Sequence, residues 1–173
     1  MNWTAHLAKL KKRLVAIDGK TLRRSFDHAN DKAAIHMVSA WCQENHLVLG
    51  QLATDAKSNE ITAIPELLEL LDIQGAIVTL DAMGCQKKIA QTIVEAGADY
   101  ILQVKDNHPT LHQELALLFE QGLQDDNQGL PYDFYEQTNG GHGRVETRRI
   151  WVTQEIAWFR ERHLWSGLSC FIC

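Results

Sequence analysis

Two aspartates stand directly after short apolar runs, and their carboxylates are the strongest candidates for chemistry in this chain. Asp18 follows the run Leu14–Ile17, and Asp81 follows the run Ala76–Leu80. If these runs form neighbouring parallel strands, both carboxylates lie at the same edge of one sheet. Carboxylate oxygens suit Mg²⁺ or Mn²⁺, and two such ions can hold the attacking and leaving oxygens of a phosphoryl displacement. The alternative is structural, because aspartate also favours the turns that end strands.

The elements that would position these aspartates follow from the apolar periodicity. Three strand-like runs come first, and the short polar connection Gln43–His46 between the second and third favours a hairpin. The apolar spacing then becomes helical and alternates with two further strand-like runs. The order β-β-β-α-β-α-β-α, followed by a β-rich tail, predicts an α/β protein with a mixed sheet. A three-stranded antiparallel meander is followed by parallel pairing of strands one, four and five at the centre of the sheet, which is the ribonuclease H-like order.

The sequence also predicts approximate bounds for these elements. Strands are expected at 14–17, 33–41, 47–54, 76–80, 100–104, 134–138 and 144–153, and helices at 2–12, 61–71, 85–96 and 109–119. Asp18-Gly19 is expected to begin a turn, and Pro65 to lie in the first turn of its helix or to kink it. The predicted organisation is an N-terminal helix (1–13), the core (14–121), and the start of a β-rich insertion that is truncated (122–173).

Charge is unevenly distributed along the chain. The net charge of the 173 residues is −5, yet residues 1–24 carry +6, so the remainder carries −11. Hydrophobic residues make up 45% and charged residues 23%, which excludes a disordered or collagen-like protein. Contact with a polyanion should therefore use residues 1–24 or a second basic cluster, which comprises Arg144, Arg148 and Arg149. Solvated surface charge is the alternative explanation for both clusters.

The apolar runs and the cysteines bear on the location of the protein. The runs are strand-sized, far shorter than a membrane span, and no secretory signal is visible at the amino terminus. The four cysteines are scattered, apart from the Cys-x-x-Cys at 170–173, and are expected to be free thiols. We therefore expect a cytoplasmic protein that does not enter a membrane.

Four sequence motifs are more specific than the composition: Val15–Lys20 (VAIDGK), Lys57–Pro65 (KSNEITAIP), Val78–Gln86 (VTLDAMGCQ), and His142–Arg148 (HGRVETR) with Ile150–Val152 (IWV). Together they resemble the H-repeat-associated family of bacterial insertion-sequence transposases, over nearly the whole chain. The resemblance implies a DDE transposase with a ribonuclease H-like core, in which three acids bind two Mg²⁺ or Mn²⁺ ions. It implies DNA as the partner, cut at transposon ends and joined to a target, with Asp18 as the first acid and Asp81 as the second.

The third acid of that family has no direct counterpart in this sequence. In the family it lies further on, in a helix with an Arg-x-His-Trp-x-Ile-Glu-Asn-like motif. Glu146 is one substitute, but between Arg144 and Arg148 on an alternating strand it better fits an ion-pair partner. Glu60 is a second substitute. The resemblance thus implies a transposase fragment, inactive if the third acid is missing. A non-catalytic remnant that binds DNA or a partner and a stand-alone ribonuclease H-like nuclease stay open.

Six basic residues are candidates for contacts with DNA phosphates, because they flank the acids or belong to the basic clusters: Lys20, Arg23, Arg24, Lys105, Arg144 and Arg148. The motif Lys105-x-Asn107 also fits the family. A solvated position is the alternative for each of them. His108 and His112 have the spacing of a helical metal pair but lack a third ligand, so a surface pair is expected. The sequence leaves the oligomeric state open, a homodimer included.

Overall fold

The computed structural model describes residues 13–22, 25, 34–54, 60–124, 129–141 and 144–173. The chain divides into two units, residues 1–107 and 108–173, and each unit is described by itself. This division falls before the helix that begins at Pro109, whereas the predicted core (14–121) includes most of that helix. The helix expected in residues 1–13 lies outside the described residues, apart from Arg13.

A five-stranded mixed sheet organises the first unit. Its strands are β1 (Leu14–Thr21), β2 (His36–Cys42), β3 (Leu47–Thr54), β4 (Ile77–Leu80) and β5 (Asp99–Leu102). The strand order is β3-β2-β1-β4-β5. β1, β2 and β3 pair antiparallel, while β1 pairs with β4 and β4 with β5 in parallel. The predicted meander and the predicted parallel pairing of strands one, four and five are confirmed, although β5 lies at the edge of this sheet rather than at its centre.

Strand β1 is longer than its apolar run suggests. Asp18-Gly19 was expected to turn, but the strand continues to Thr21 because β2 pairs with it throughout, with Asp18 opposite Ser39 and Gly19 opposite Val38. The turn propensity of Asp-Gly is weak beside a full ladder of backbone hydrogen bonds. Asp18 therefore lies inside a strand rather than at its end.

Two helices cover one face of this sheet, α1 (Glu60–Glu69) and α2 (Lys87–Glu95). Their apolar faces join the inward side chains of the strands in one core cluster, which includes Ile64, Leu67, Leu68, Ile89 and Ile93. Burying such side chains contributes about 1.5–3 kcal/mol each. Pro65 lies in the interior of α1 rather than in its first turn. Gly97, with a φ of 75°, follows the end of α2, close to residue 96 where the predicted helix ended.

The second unit consists of helix α3 (Pro109–Gln124) and a three-stranded antiparallel sheet of β6 (Asp133–Gly141), β7 (Arg144–Thr153) and β8 (Phe171–Ile172). β6 and α3 extend further than predicted, and β8 was not predicted. The β-rich tail is thus present as a long hairpin whose end is completed by β8, with Val152 opposite Ile172. No helix in the described part of the chain is long and apolar enough to cross a membrane.

Candidate active site

The register between β1 and β4 brings Asp18 and Asp81 to neighbouring positions. The last registered pair is Ile17 with Leu80, and each aspartate is the next residue along its strand direction. Neighbouring strands lie about 4.8 Å apart, so the backbones of the two aspartates lie side by side at this edge of the sheet. The predicted placement on adjacent parallel strands is therefore confirmed, and only the expectation that Asp18 ends its strand is wrong.

Side-chain alternation directs both carboxylates away from the helix-covered core. Val15 and Ile17 of β1 are buried, as are Val78 and Leu80 of β4. Successive side chains of a strand point to opposite faces. Asp18 therefore lies on the other face, and Asp81, whose backbone is still extended, continues the same alternation. Both aspartates are exposed.

A tight turn fixes the orientation of the second carboxylate. Asp81 precedes a short 3₁₀ helix, Ala82–Gly84, and its Oδ1 accepts hydrogen bonds from the backbone N–H groups of Met83 (3.0 Å) and Gly84 (3.4 Å). This is the geometry of an N-cap aspartate. Both hydrogen bonds use Oδ1, which leaves Oδ2 to act as a ligand.

The loop after β5 is bonded to this turn through one asparagine. The Nδ2 of Asn107 donates to the carbonyl oxygen of Ala82 (2.6 Å), and its Oδ1 accepts from the backbone N–H of Lys105 (3.0 Å). Burial raises the pKa of the Cys85 thiol to about 11, and a hydrogen bond with the Asn107 side chain opposes this effect. Asn107 thus connects the segment that bears Lys105 with the segment that follows Asp81.

The donor set of the two aspartates fits a small, hard divalent cation. Mg²⁺ is commonly bound through one or two carboxylates and keeps several water ligands, so a complete protein cage is not required. Within the described ranges, no group of three or more His, Cys, Asp or Glu side chains is arranged to hold a metal ion. The pair would therefore suit a divalent cation such as Mg²⁺ or Mn²⁺, whose further ligands would be water molecules.

Glu146, the predicted substitute for a third acid, lies on β7 in the second unit. Its Oε2 is 3.1 Å from the Nη2 of Arg148, and both side chains are about half exposed. On the same hairpin, the guanidinium of Arg149 bonds to the carboxylate of Glu136 at 2.6 Å. The structure therefore places Glu146 in the ion pair that the sequence analysis favoured over metal binding.

The candidate DNA-binding residues fall into three groups. Lys20 is exposed on β1, two residues beyond Asp18 and so on the same face, and Lys105 is exposed in the loop after β5. Arg148 is exposed but bonded to Glu146. Arg23 and Arg24 lie outside the described residues, and Arg144 is the first residue of β7.

Sequence reasoning missed the structural importance of Asn107 and Gly84. Asn107 was noted only as part of the motif Lys105-x-Asn107, since its contact with Ala82 joins residues far apart in the chain. Gly84 approaches Leu80 so closely that a Cβ added to Gly84 would stand 2.9 Å from the Leu80 Cβ. The motif Asp-Ala-Met-Gly at 81–84, with a glycine three residues after the candidate ligand, is the signal that could have revealed this turn.

Comparison with known proteins identifies the family. The transposase DDE domain family matches residues 9–161, most of the chain. The chain belongs to this family, and the resemblance to H-repeat-associated transposases is confirmed.

The relatives of known sequence agree with this assignment. The chain is 51% identical to "Putative transposase YncI" of Escherichia coli K12 over 135 residues, covering 78% of this chain and 53% of YncI. It is 48% identical to "H repeat-associated putative transposase YhhI" of the same organism over 137 residues, covering 79% of this chain and 35% of YhhI. A protein of Xanthobacter autotrophicus, encoded in the dhlA 3′ region, is 43% identical over 158 residues, which cover 91% of this chain and 52% of that protein. The chain thus spans about half or less of the length of these relatives.

Two solved structures show weak similarity. The piggyBac transposase synaptic complex with hairpin DNA matches with a TM-score of 0.44 and 11% identity, covering 82% of this chain and 30% of that chain. The simian T-cell lymphotropic virus intasome matches with a TM-score of 0.41 and 12% identity, covering 69% and 45%. Both TM-scores are low, so neither similarity bears on the function of this chain.

Proposed function

We propose that this chain is the catalytic-core portion of a DDE transposase, with a ribonuclease H-like fold, and that Asp18 and Asp81 bind a divalent cation for reactions at DNA phosphodiesters. The observation that carries the proposal is the register of β1 and β4, which puts both carboxylates one residue beyond the pair Ile17–Leu80. Membership of the transposase DDE domain family supports the same reaction class.

The protein residues contribute orientation and charge to this reaction. A bound divalent ion supplies a Lewis acid that stabilises charge on phosphoryl oxygens. Two backbone N–H groups already hold the Oδ1 of Asp81. Binding of a cation to Oδ2 therefore restricts a side chain that is ordered before binding. Lys20, exposed on the face that bears Asp18, adds a positive charge suited to a DNA phosphate.

We propose further that the 173-residue chain binds the cation but does not turn over on its own. The proposal is supported by the ion pair of Glu146 with Arg148, since this candidate third acid already has a basic partner through its Oε2. Loss of one metal-bound charge from a phosphoryl-transfer site costs several kcal/mol of transition-state stabilisation, and about 4 kcal/mol already corresponds to a thousandfold slower reaction.

The cation site is tested by thermal unfolding of the wild-type chain with and without Mn²⁺. Free Mn²⁺ at a hundred times its dissociation constant stabilises the folded state by about 2.7 kcal/mol. Asp18→Asn and Asp81→Asn should each remove this stabilisation, whereas Glu146→Gln should retain it. A wild-type shift that persists in both aspartate variants would place the ion elsewhere.

Turnover is tested on the same preparations with supercoiled plasmid and Mn²⁺. We expect no nicking above the level of Asp81→Asn. Mn²⁺-dependent nicking that Glu146→Gln abolishes would make Glu146 the third acid and the chain a stand-alone nuclease. Plasmid binding without metal dependence, together with no Mn²⁺ shift, would instead favour a non-catalytic DNA-binding remnant.

A further inference from the structure

Asn107 makes three polar contacts through one exposed side chain. Its Nδ2 bonds to the Ala82 carbonyl at 2.6 Å, its Oδ1 bonds to the Lys105 N–H at 3.0 Å, and it also contacts the Cys85 thiol. Ala82 and Cys85 begin and follow the 3₁₀ turn, and Lys105 belongs to the loop after β5. One amide therefore holds both ends of the turn to the neighbouring loop.

The turn held in this way is the one that orients Asp81. Ala82 is the residue next to Asp81, so a displacement of its peptide group displaces the aspartate directly. The two N–H donors that fix Asp81 Oδ1 belong to Met83 and Gly84, which lie within the segment pinned by Asn107. A change at Asn107 would therefore displace Asp81 in two ways. Ala82 is covalently bonded to Asp81, and Met83 and Gly84 donate the hydrogen bonds that orient its carboxylate.

We propose that Asn107 is a positioning residue of the candidate active site: it fixes the 82–85 turn so that Asp81 is presented to the cation, and it sets the place of Lys105 beside that turn. The inference rests on the proposed function, because it assigns a role toward the same cation. Groups that orient metal ligands through hydrogen bonds are worth about tenfold to a hundredfold in metal affinity.

The first measurement is the affinity for Mn²⁺ of the full chain, from loss of the free-ion signal in electron paramagnetic resonance. Asn107→Ala should weaken binding about tenfold to a hundredfold. The matched control is Asn45→Ala, because the Asn45 side chain bonds to Arg13 at the opposite end of the same sheet. Asn45→Ala should leave the Mn²⁺ affinity unchanged. Equal affinity in wild type and Asn107→Ala would overturn the inference.

The second measurement does not depend on metal. Cys85 and Cys42 are both buried in the first unit, so each reports on opening of its surroundings when a thiol reagent is applied. Asn107→Ala should speed the labelling of Cys85 but not of Cys42, each followed by mass spectrometry of its own peptide. Unchanged labelling of Cys85, or equal acceleration of both thiols, would show that Asn107 does not hold the turn and would contradict the inference.

The two measurements separate the inference from the proposed function. Wild-type Mn²⁺ binding that needs both aspartates, weakened in Asn107→Ala together with selective labelling of Cys85, supports both. Aspartate-dependent binding that Asn107→Ala leaves intact contradicts the positioning role alone. If the wild-type chain binds no Mn²⁺, the proposed function fails, and a role for Asn107 toward the cation fails with it, even where Cys85 labelling shows that the turn is held.

Discussion

Replacing Gly84 by alanine should damage the candidate site through one local clash. A Cβ on Gly84 would stand 2.6 Å from the Cδ2, 2.9 Å from the Cβ and 3.2 Å from the Cγ of Leu80. The Cβ of Leu80 is tied to the backbone of β4, so a rotamer change cannot relieve that contact. Overpacking of this kind costs about 1–3 kcal/mol, and the turn that presents Asp81 is the part free to move. We therefore expect lower stability and weaker Mn²⁺ binding together.

The assay compares Gly84→Ala with Gly140→Ala. Gly140 lies in β6, and a Cβ there would meet no atom within 4 Å. Gly84 and Gly140 both have a negative or extended φ, so backbone strain does not separate the two variants. Urea unfolding should show a loss of about 1–3 kcal/mol for Gly84→Ala and a change within about 0.5 kcal/mol for Gly140→Ala. Equal stability and equal Mn²⁺ affinity of Gly84→Ala and wild type would refute the tight turn.

Two further predictions concern pH and salt. Burial raises the pKa of the Cys85 thiol to about 11 from an ordinary 9.0, so the folded state favours the neutral thiol. The stability that the neutral thiol contributes is present below pH 9 and is lost as the pH rises toward 11. Urea unfolding at pH 8 and pH 10.5 should show this loss for wild type and not for Cys85→Ala, and equal losses would contradict it. For non-specific DNA binding, each neutralised phosphate contributes about −0.9 to the slope of log K against log salt. The slope should flatten when four basic residues near the amino terminus become alanine: Lys11, Lys12, Arg23 and Arg24. An unchanged slope would place the DNA contact elsewhere.

The sequence predicted the strand order well because that order follows from short connections and apolar runs. The strand Leu47–Thr54 was predicted with its observed bounds. Bounds that depend on partners were less accurate: β1 extends past Asp18-Gly19 since β2 pairs with it. β8 has two residues, too few for any periodicity, and becomes a strand through its pairing with Thr153 and Val152.

The candidate site was predictable to a different extent for each of its parts. Asp18 and Asp81 could be paired because both follow apolar runs that the order of elements makes neighbours. The role of Asn107 depends on a contact with Ala82, and nothing local to either residue indicates that contact. The need for glycine at position 84 depends on the distance to Leu80, which only the folded turn defines.

The site combines two levels of structure that can fail separately. The proximity of Asp18 and Asp81 depends on the parallel register of β1 and β4, which buried side chains such as Val15 and Val78 stabilise from the core face. The direction of the Asp81 carboxylate depends instead on the exposed turn and on Asn107. Changes in the turn should therefore reduce cation affinity while the sheet persists, because the core cluster does not use the turn's hydrogen bonds. Changes in the register should remove the site and the fold together, since a shift of one residue would turn every inward side chain of β4 to the other face.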